Sequence, residues 1–404
     1  MSDSLLNIKK IKCFFVLSML CTTFADVFKL SWTIRMNNLT RERSLRMRGA
    51  AIFLIFLHNL LHLLNYVKEN EFAYLPIRAE KMLASFTSLS SSIVGDFFSY
   101  LGWYGVPVFI FFSGYGLVMK HEQTVSEKGF GKQPSSLRIV PYLWRNFLKL
   151  FVLMAPCYLI YVLGTGQTLF SILTMSQFTM TINLLFPQMI SPGVYWYFGL
   201  TLQLYIIYLA FFHFRSKRFL MIAALLMMAL GVVFEFFFDK TTNIDLRHNS
   251  PVWLPVFLAG VWYAREKSIP GLAFVKKHWG KALLLLIVLW VWSAVNAYLW
   301  TASPLLVLPI FAIICICCCE IPVASGRWAH AASNIFSRCL TYLGSISAGL
   351  FVCHPIIREL ALKGYHSGYN IVIVTLAYAI VCICVAHIYN YCYKKAMRFL
   401  LPKR

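Results

Sequence analysis

Acidic residues are scarce. Asp and Glu together number 15 among 404 residues, and charged residues of both signs make up 13%. A soluble globular domain carries about 25% charge, so the deficit excludes that class. Gly-rich phosphate loops, Walker sequences and dinucleotide fingerprints are also missing, which removes the common nucleotide-binding folds. No internal repeat is visible, and that argues against a transporter built from inverted halves. No stretch between apolar segments is long enough for a soluble domain, so chemistry belongs to helices and short loops. The 12 cysteines form no framework. Cys315, Cys317, Cys318 and Cys319 crowd one apolar segment and Cys382 and Cys384 another, without the spacing of a metal-ligand set. They read as small polarizable packing residues, and no metal is expected.

What is abundant is apolar. Hydrophobic residues account for 59% of the chain, and the mean hydropathy is +0.69. This is the composition of an integral membrane protein. The net charge of +22 sits in Lys and Arg placed between apolar segments, as the positive-inside rule produces. It implies no nucleic-acid partner.

Ten apolar segments follow one another: 49–67, 97–118, 140–163, 195–213, 219–238, 251–264, 282–300, 304–319, 339–357 and 371–393. Most approach the roughly 20 residues that span a bilayer. Basic residues fall in every second connection, while 164–194 and 300–303 carry no charge. The expected architecture is therefore all-α and polytopic, with about ten transmembrane helices and both termini cytoplasmic. The expected organisation is a basic and apolar extension at 1–45, a membrane domain at 46–393 and a basic tail at 394–404.

Polar groups inside such helices are costly and usually functional. Residues 48–62 read RGAAIFLIFLHNLLH, with His58 about 15 Å along the helix from Arg48 and His62 one turn further. A neutral imidazole at this depth is a candidate general base. Arg145 and Lys149 are four residues apart and share a face at the start of the third segment, with Lys120 and Arg138 nearby. They suit anionic lipid or the phosphates of a cytoplasmic donor. The uncharged stretch 164–194 suits a re-entrant lid or an interfacial loop. Trp103, Tyr104, Tyr195, Trp196 and Tyr197 read first as an aromatic belt, and His354, followed by Pro355, as a structural histidine or a weaker functional candidate.

Six blocks carry a resemblance. They are RGAAIFLIFLH from Arg48, GWYGVPVFIFFSGYGL from Gly102, WRNFLKLFVLMAPCYLIY from Trp144, YWYFGLTLQLYIIYL from Tyr195, FLAGVWYARE from Phe257 and LGSISAGLFVCHPII from Leu343. In this order they resemble the membrane acyltransferase-3 family, bacterial enzymes that O-acylate cell-surface glycans. The resemblance implies a multi-pass protein of the bacterial inner (plasma) membrane. It implies acetyl-CoA or another short acyl-CoA as donor, and a surface or lipid-linked glycan as acceptor. It implies His58 as base or acyl carrier, Arg145, Lys149 and Arg48 facing the donor phosphates, and Ser113 and Gly114 allowing close helix packing beside the donor path. No fused extracytoplasmic hydrolase-like domain is expected. One departure stands out. The family pattern separates its Arg and His by ten residues, whereas nine separate Arg48 from His58, and Asn59 holds the strict position. A helix bulge would restore the alignment; otherwise His62, about 40° from Arg48, takes the role. A flippase with a proton-relay histidine is the alternative function.

Overall fold

The computed structural model describes residues 39–123, 139–213, 215–237, 246–266, 278–300 and 327–401, and among them there are helices and no strands. Residues 1–38 of the extension, the segment 304–319 and its cysteine cluster lie outside the described residues.

The described residues form thirteen α-helices. Helix α1 (Arg41–Leu61) begins where the Thr40 hydroxyl accepts from the Arg43 amide at 3.3 Å, the ordinary N-cap arrangement. An excursion at 62–92 contains the short α2 (Pro76–Thr87). Helix α3 (Ile93–Leu101), a 3₁₀ turn (Gly102–Tyr104), α4 (Gly105–Val118) and a π turn (Met119–Gln123) form one continuous rod. Then come α5 (Ile139–Thr165), α6 (Ile172–Phe178), α7 (Ile182–Leu185) and α8 (Trp196–Ile207). The rest is α9 (Lys217–Phe237), α10 (Ser250–Glu266), α11 (Trp279–Val295), α12 (Arg327–His366) and α13 (Ile371–Leu400).

Among the described residues, six helical stretches are long and apolar enough to cross a membrane: Arg41–Leu61, Ile93–Glu122, Pro141–Thr165, Gly193–Phe212, Asn334–His366 and Ile371–Leu400. Residues 219–237, 251–264 and 282–295 of the other segments are helical too, within α9, α10 and α11. The tail beyond 393 continues α13 as far as Leu400.

Without a hydrophobic drive between helices in lipid, close approach through small residues holds such bundles together. Helix α1 lies against α12 and α4. A Cβ on Gly49 would collide with the Leu340 carbonyl, and one on Gly344 with the Leu45 carbonyl. The α4–α10 contact is built the same way. Gly114 faces the Phe257 carbonyl and Gly260 faces the Phe111 carbonyl.

Two expectations change. Helix α1 ends at Leu61, six residues before the apolar segment does, because the chain turns there and packs back on the bundle. His58 therefore sits in its last turn rather than at mid-length. The aromatic belt is core instead: Trp103 and Tyr195 are 1% and 0% exposed. Helix-to-helix contacts bury them, with the Tyr195 hydroxyl donating to the Val352 carbonyl at 2.7 Å and Trp196 stacked on Trp253.

Candidate active site

The excursion at 62–92 is held down from its interior. The buried Asp96 carboxylate accepts from the Val67 amide at 2.9 Å, from Ser85 Oγ at 2.6 Å and from Ser92 Oγ at 2.7 Å. Ser99 Oγ donates to the Val67 carbonyl at 2.7 Å, and Asn70 Nδ2 to the Tyr100 hydroxyl at 3.0 Å. These bonds lay Glu69 and Glu71 against the end of α1 that carries His58 and His62.

His58 is 2% exposed. Its Nδ1 lies 2.8 Å from the Ser99 carbonyl. A carbonyl only accepts, so Nδ1 carries the proton and Nε2 presents a lone pair in the neutral ring. Glu71 Oε2 lies 3.6 Å from that Nε2. The His62 ring stacks on His58 with centroids 4.9 Å apart, and its Nδ1 bonds the His58 carbonyl at 2.8 Å. Gly102 makes this packing possible, since a Cβ there would stand 2.6 Å from the His58 Cβ.

Both rings face a cavity of about 90 Å³ whose wall includes Asn59, Glu69, Glu71, Phe72, Trp103, Trp196, Tyr197 and Arg358. A water needs about 10–15 Å³ on this measure, so the space admits an acyl group or several waters. Burial would raise the Glu69 carboxyl, but His62 and His58 outweigh it and hold the group below the ordinary carboxylate range. Gly193 and Val194, at the end of the uncharged 164–194 stretch, close one side. That stretch is pinned to the bundle, with Asn183 Nδ2 donating to the Trp196 carbonyl at 2.7 Å.

Helix α1 has no bulge between Arg48 and His58, so the two point to different faces; His62, the alternative that the spacing offered, has its ring stacked on His58 in the same cavity wall, and His58 is the ring held by a carbonyl of another helix. Arg48 Cζ lies over the Phe112 ring at 5.9 Å and near Tyr197, which also lines the cavity. Asn59, at the strict family position, bonds back to the Ile55 carbonyl at 2.9 Å. Ser113 Oγ donates to the Phe109 carbonyl at 2.9 Å and lies beside Tyr197 and Tyr205. Gly114 is turned to α10, so it packs helices and does not meet the cavity. Lys149 and Arg145 gather with Lys120 around His121 at the opposite, basic end. Tyr197 and Tyr205 flank Ser113, and Tyr393 donates to the Lys149 carbonyl at 3.4 Å.

Sequence reasoning missed Glu69, Glu71 and Arg358. A signal for the carboxylates existed: two of only 15 acidic residues stand two positions apart, just after the histidine pair. Arg358 follows His354 by one helical turn. His354 is fully buried, with Nδ1 3.1 Å from the Leu350 carbonyl, beside Arg358 and His58.

No curated protein matches the chain, and no solved structure matches it. The model of one family, described as an acyltransferase domain, matches residues 46–391. A buried histidine oriented by a carbonyl and facing a cavity is what acyl transfer asks of a base, and it lies inside the matched region. The chain belongs to the acyltransferase-3 family and is a membrane acyltransferase.

Proposed function

We propose that this acyltransferase moves a short acyl group, acetyl in the first instance, from cytoplasmic acyl-CoA to a hydroxyl of a surface or lipid-linked glycan. It would do so in a bacterial inner membrane, with about ten spans and both termini cytoplasmic. The observation that carries the reading is the fixed tautomer of His58. With Nδ1–H held by the Ser99 carbonyl, the Nε2 lone pair is directed toward the Glu71 side of the cavity.

The chemistry balances at that atom. Nε2 takes the proton of the acceptor hydroxyl as its oxygen bonds the thioester carbonyl carbon. The C–S bond then breaks, and the CoA sulfur leaves with the proton returned by the imidazolium. Arg358, in the cavity wall, supplies positive charge for the oxyanion. The Lys120, Arg145 and Lys149 cluster suits the donor phosphates. Arg48 stands about 15 Å from His58 along α1, a distance that an extended pantetheine arm bridges. Aromatic side chains such as Phe72 and Trp196 beside Glu71 suit a sugar ring.

The test uses purified protein, radiolabelled acetyl-CoA and membranes bearing the glycan. Label on the glycan, with a mass gain of one acetyl group, is the expected result. Movement of a lipid-linked saccharide across the membrane with no label transferred would instead favour the flippase reading.

A further inference from the structure

We propose that His58, His62 and Glu69 form a binding site for a divalent transition-metal cation of the zinc class. The three offer ligand atoms that all lie within 4.8 Å of one another. Small side-chain rotations therefore gather them on one ion.

The argument rests on where the protons are. Both imidazoles are bound through Nδ1 to backbone carbonyls, at 2.8 Å to Ser99 and 2.8 Å to His58. Each Nδ1 must be the donor, so each ring in its neutral form holds out an Nε2 lone pair. Metal-binding histidines are oriented in this way, with the other ring nitrogen donating to a carbonyl. Glu69 Oε2 is buried with no hydrogen-bond partner, and Glu71 Oε2 stands 3.6 Å from His58 Nε2. A buried acceptor without a donor is expensive. Here two imidazoles and two carboxylates converge. A proton on His58 Nε2 answers Glu71 alone, whereas a divalent cation held by His58, His62 and Glu69 also supplies the partner that Glu69 Oε2 lacks.

In the wall itself two carboxylates face one guanidinium, Arg358, whose Nη2 is drawn to Glu359 at 3.0 Å, while Arg78 donates to the Glu69 backbone carbonyl from outside it. Imidazole nitrogen with carboxylate oxygen selects zinc-like ions over calcium or magnesium. The i, i+4 spacing of His58 and His62 places both rings on one helix face.

The site stands independently of acyl transfer. One consequence rests on the proposed base: an ion on His58 Nε2 occupies the lone pair the acceptor proton needs, so cation loading inhibits transfer.

The test takes full-length, chelator-treated protein in detergent and titrates Zn²⁺ against a chromophoric chelator. One site per chain is expected in the wild type. Glu69→Gln should weaken it at least about tenfold, while Glu80→Gln, at an exposed position on α2, should leave it unchanged. Co²⁺ added to wild-type protein should give the visible d–d bands of a low-coordinate nitrogen and oxygen site, a readout needing no variant. No stoichiometric site, no Co²⁺ bands, or equal affinity in Glu69→Gln and wild type would each overturn the proposal. Loss of inhibition by zinc in Glu69→Gln supports the consequence. Zinc bound at this site without inhibition would refute the base assignment and leave the cation site standing.

Discussion

Gly102→Ala puts one carbon where the structure has no space. The new Cβ would lie 2.6 Å from the His58 Cβ and 2.7 Å from the Leu54 carbonyl oxygen, whereas ordinary contacts begin near 3.4 Å. Neither neighbour can swing aside: one is the first carbon of the His58 side chain and the other is helix backbone. The end of α1 must therefore move by roughly 1 Å, and a displacement of that size at a reacting group costs about 10²-fold in rate. Overpacking should also cost about 1–3 kcal/mol of stability. Gly116→Ala is the control, because nothing lies within 4 Å of its Cβ position. The assay is acyl transfer from labelled acyl-CoA by both variants, alongside thermal melts in detergent. The expected result is a large loss of rate for Gly102→Ala, a small fall in its melting temperature, and wild-type behaviour for Gly116→Ala. Full activity in Gly102→Ala would refute the claim that this contact sets the position of His58.

Gly344→Val should destabilise the α1–α12 crossing by at least about 1–3 kcal/mol, since even a Cβ meets the Leu45 carbonyl; melts in detergent check this. Asp96→Ala removes an acceptor from the Val67 amide, Ser85 and Ser92, so limited proteolysis should open the 62–92 excursion while the rest of the bundle stays protected. Arg145→Glu should raise the donor KM by roughly tenfold, the loss of one charge-assisted contact, with little change in kcat. Equal KM values would count against the phosphate assignment.

The helices were legible because apolar runs of membrane length leave the backbone no other way to satisfy its hydrogen bonds. The helix ends were less so. Leu63 and Leu64 extend the apolar run past the turn that ends α1, and apolarity alone cannot register that the chain folds back there. Trp103, Tyr195 and Trp196 misled for a related reason: an aromatic near a helix start suits an interface or a core equally, and only the partner helix decides. His58 and His62 stood out as ionisable groups in apolar sequence. Their partners did not. Ser99 contributes a backbone carbonyl, which any residue could supply. Arg358 reaches the cavity from a helix 300 residues away. The offset between Arg48 and His58 is likewise resolved only by the uninterrupted turn of α1.

The measurement that bears most directly on the central claim is transfer by His58→Ala, reconstituted beside wild-type protein with labelled donor and acceptor. The account predicts a fall of about 10²–10⁴-fold, the usual contribution of a positioned general base, with helix content and membrane insertion unchanged. Transfer by His58→Ala within a few-fold of wild type would contradict it.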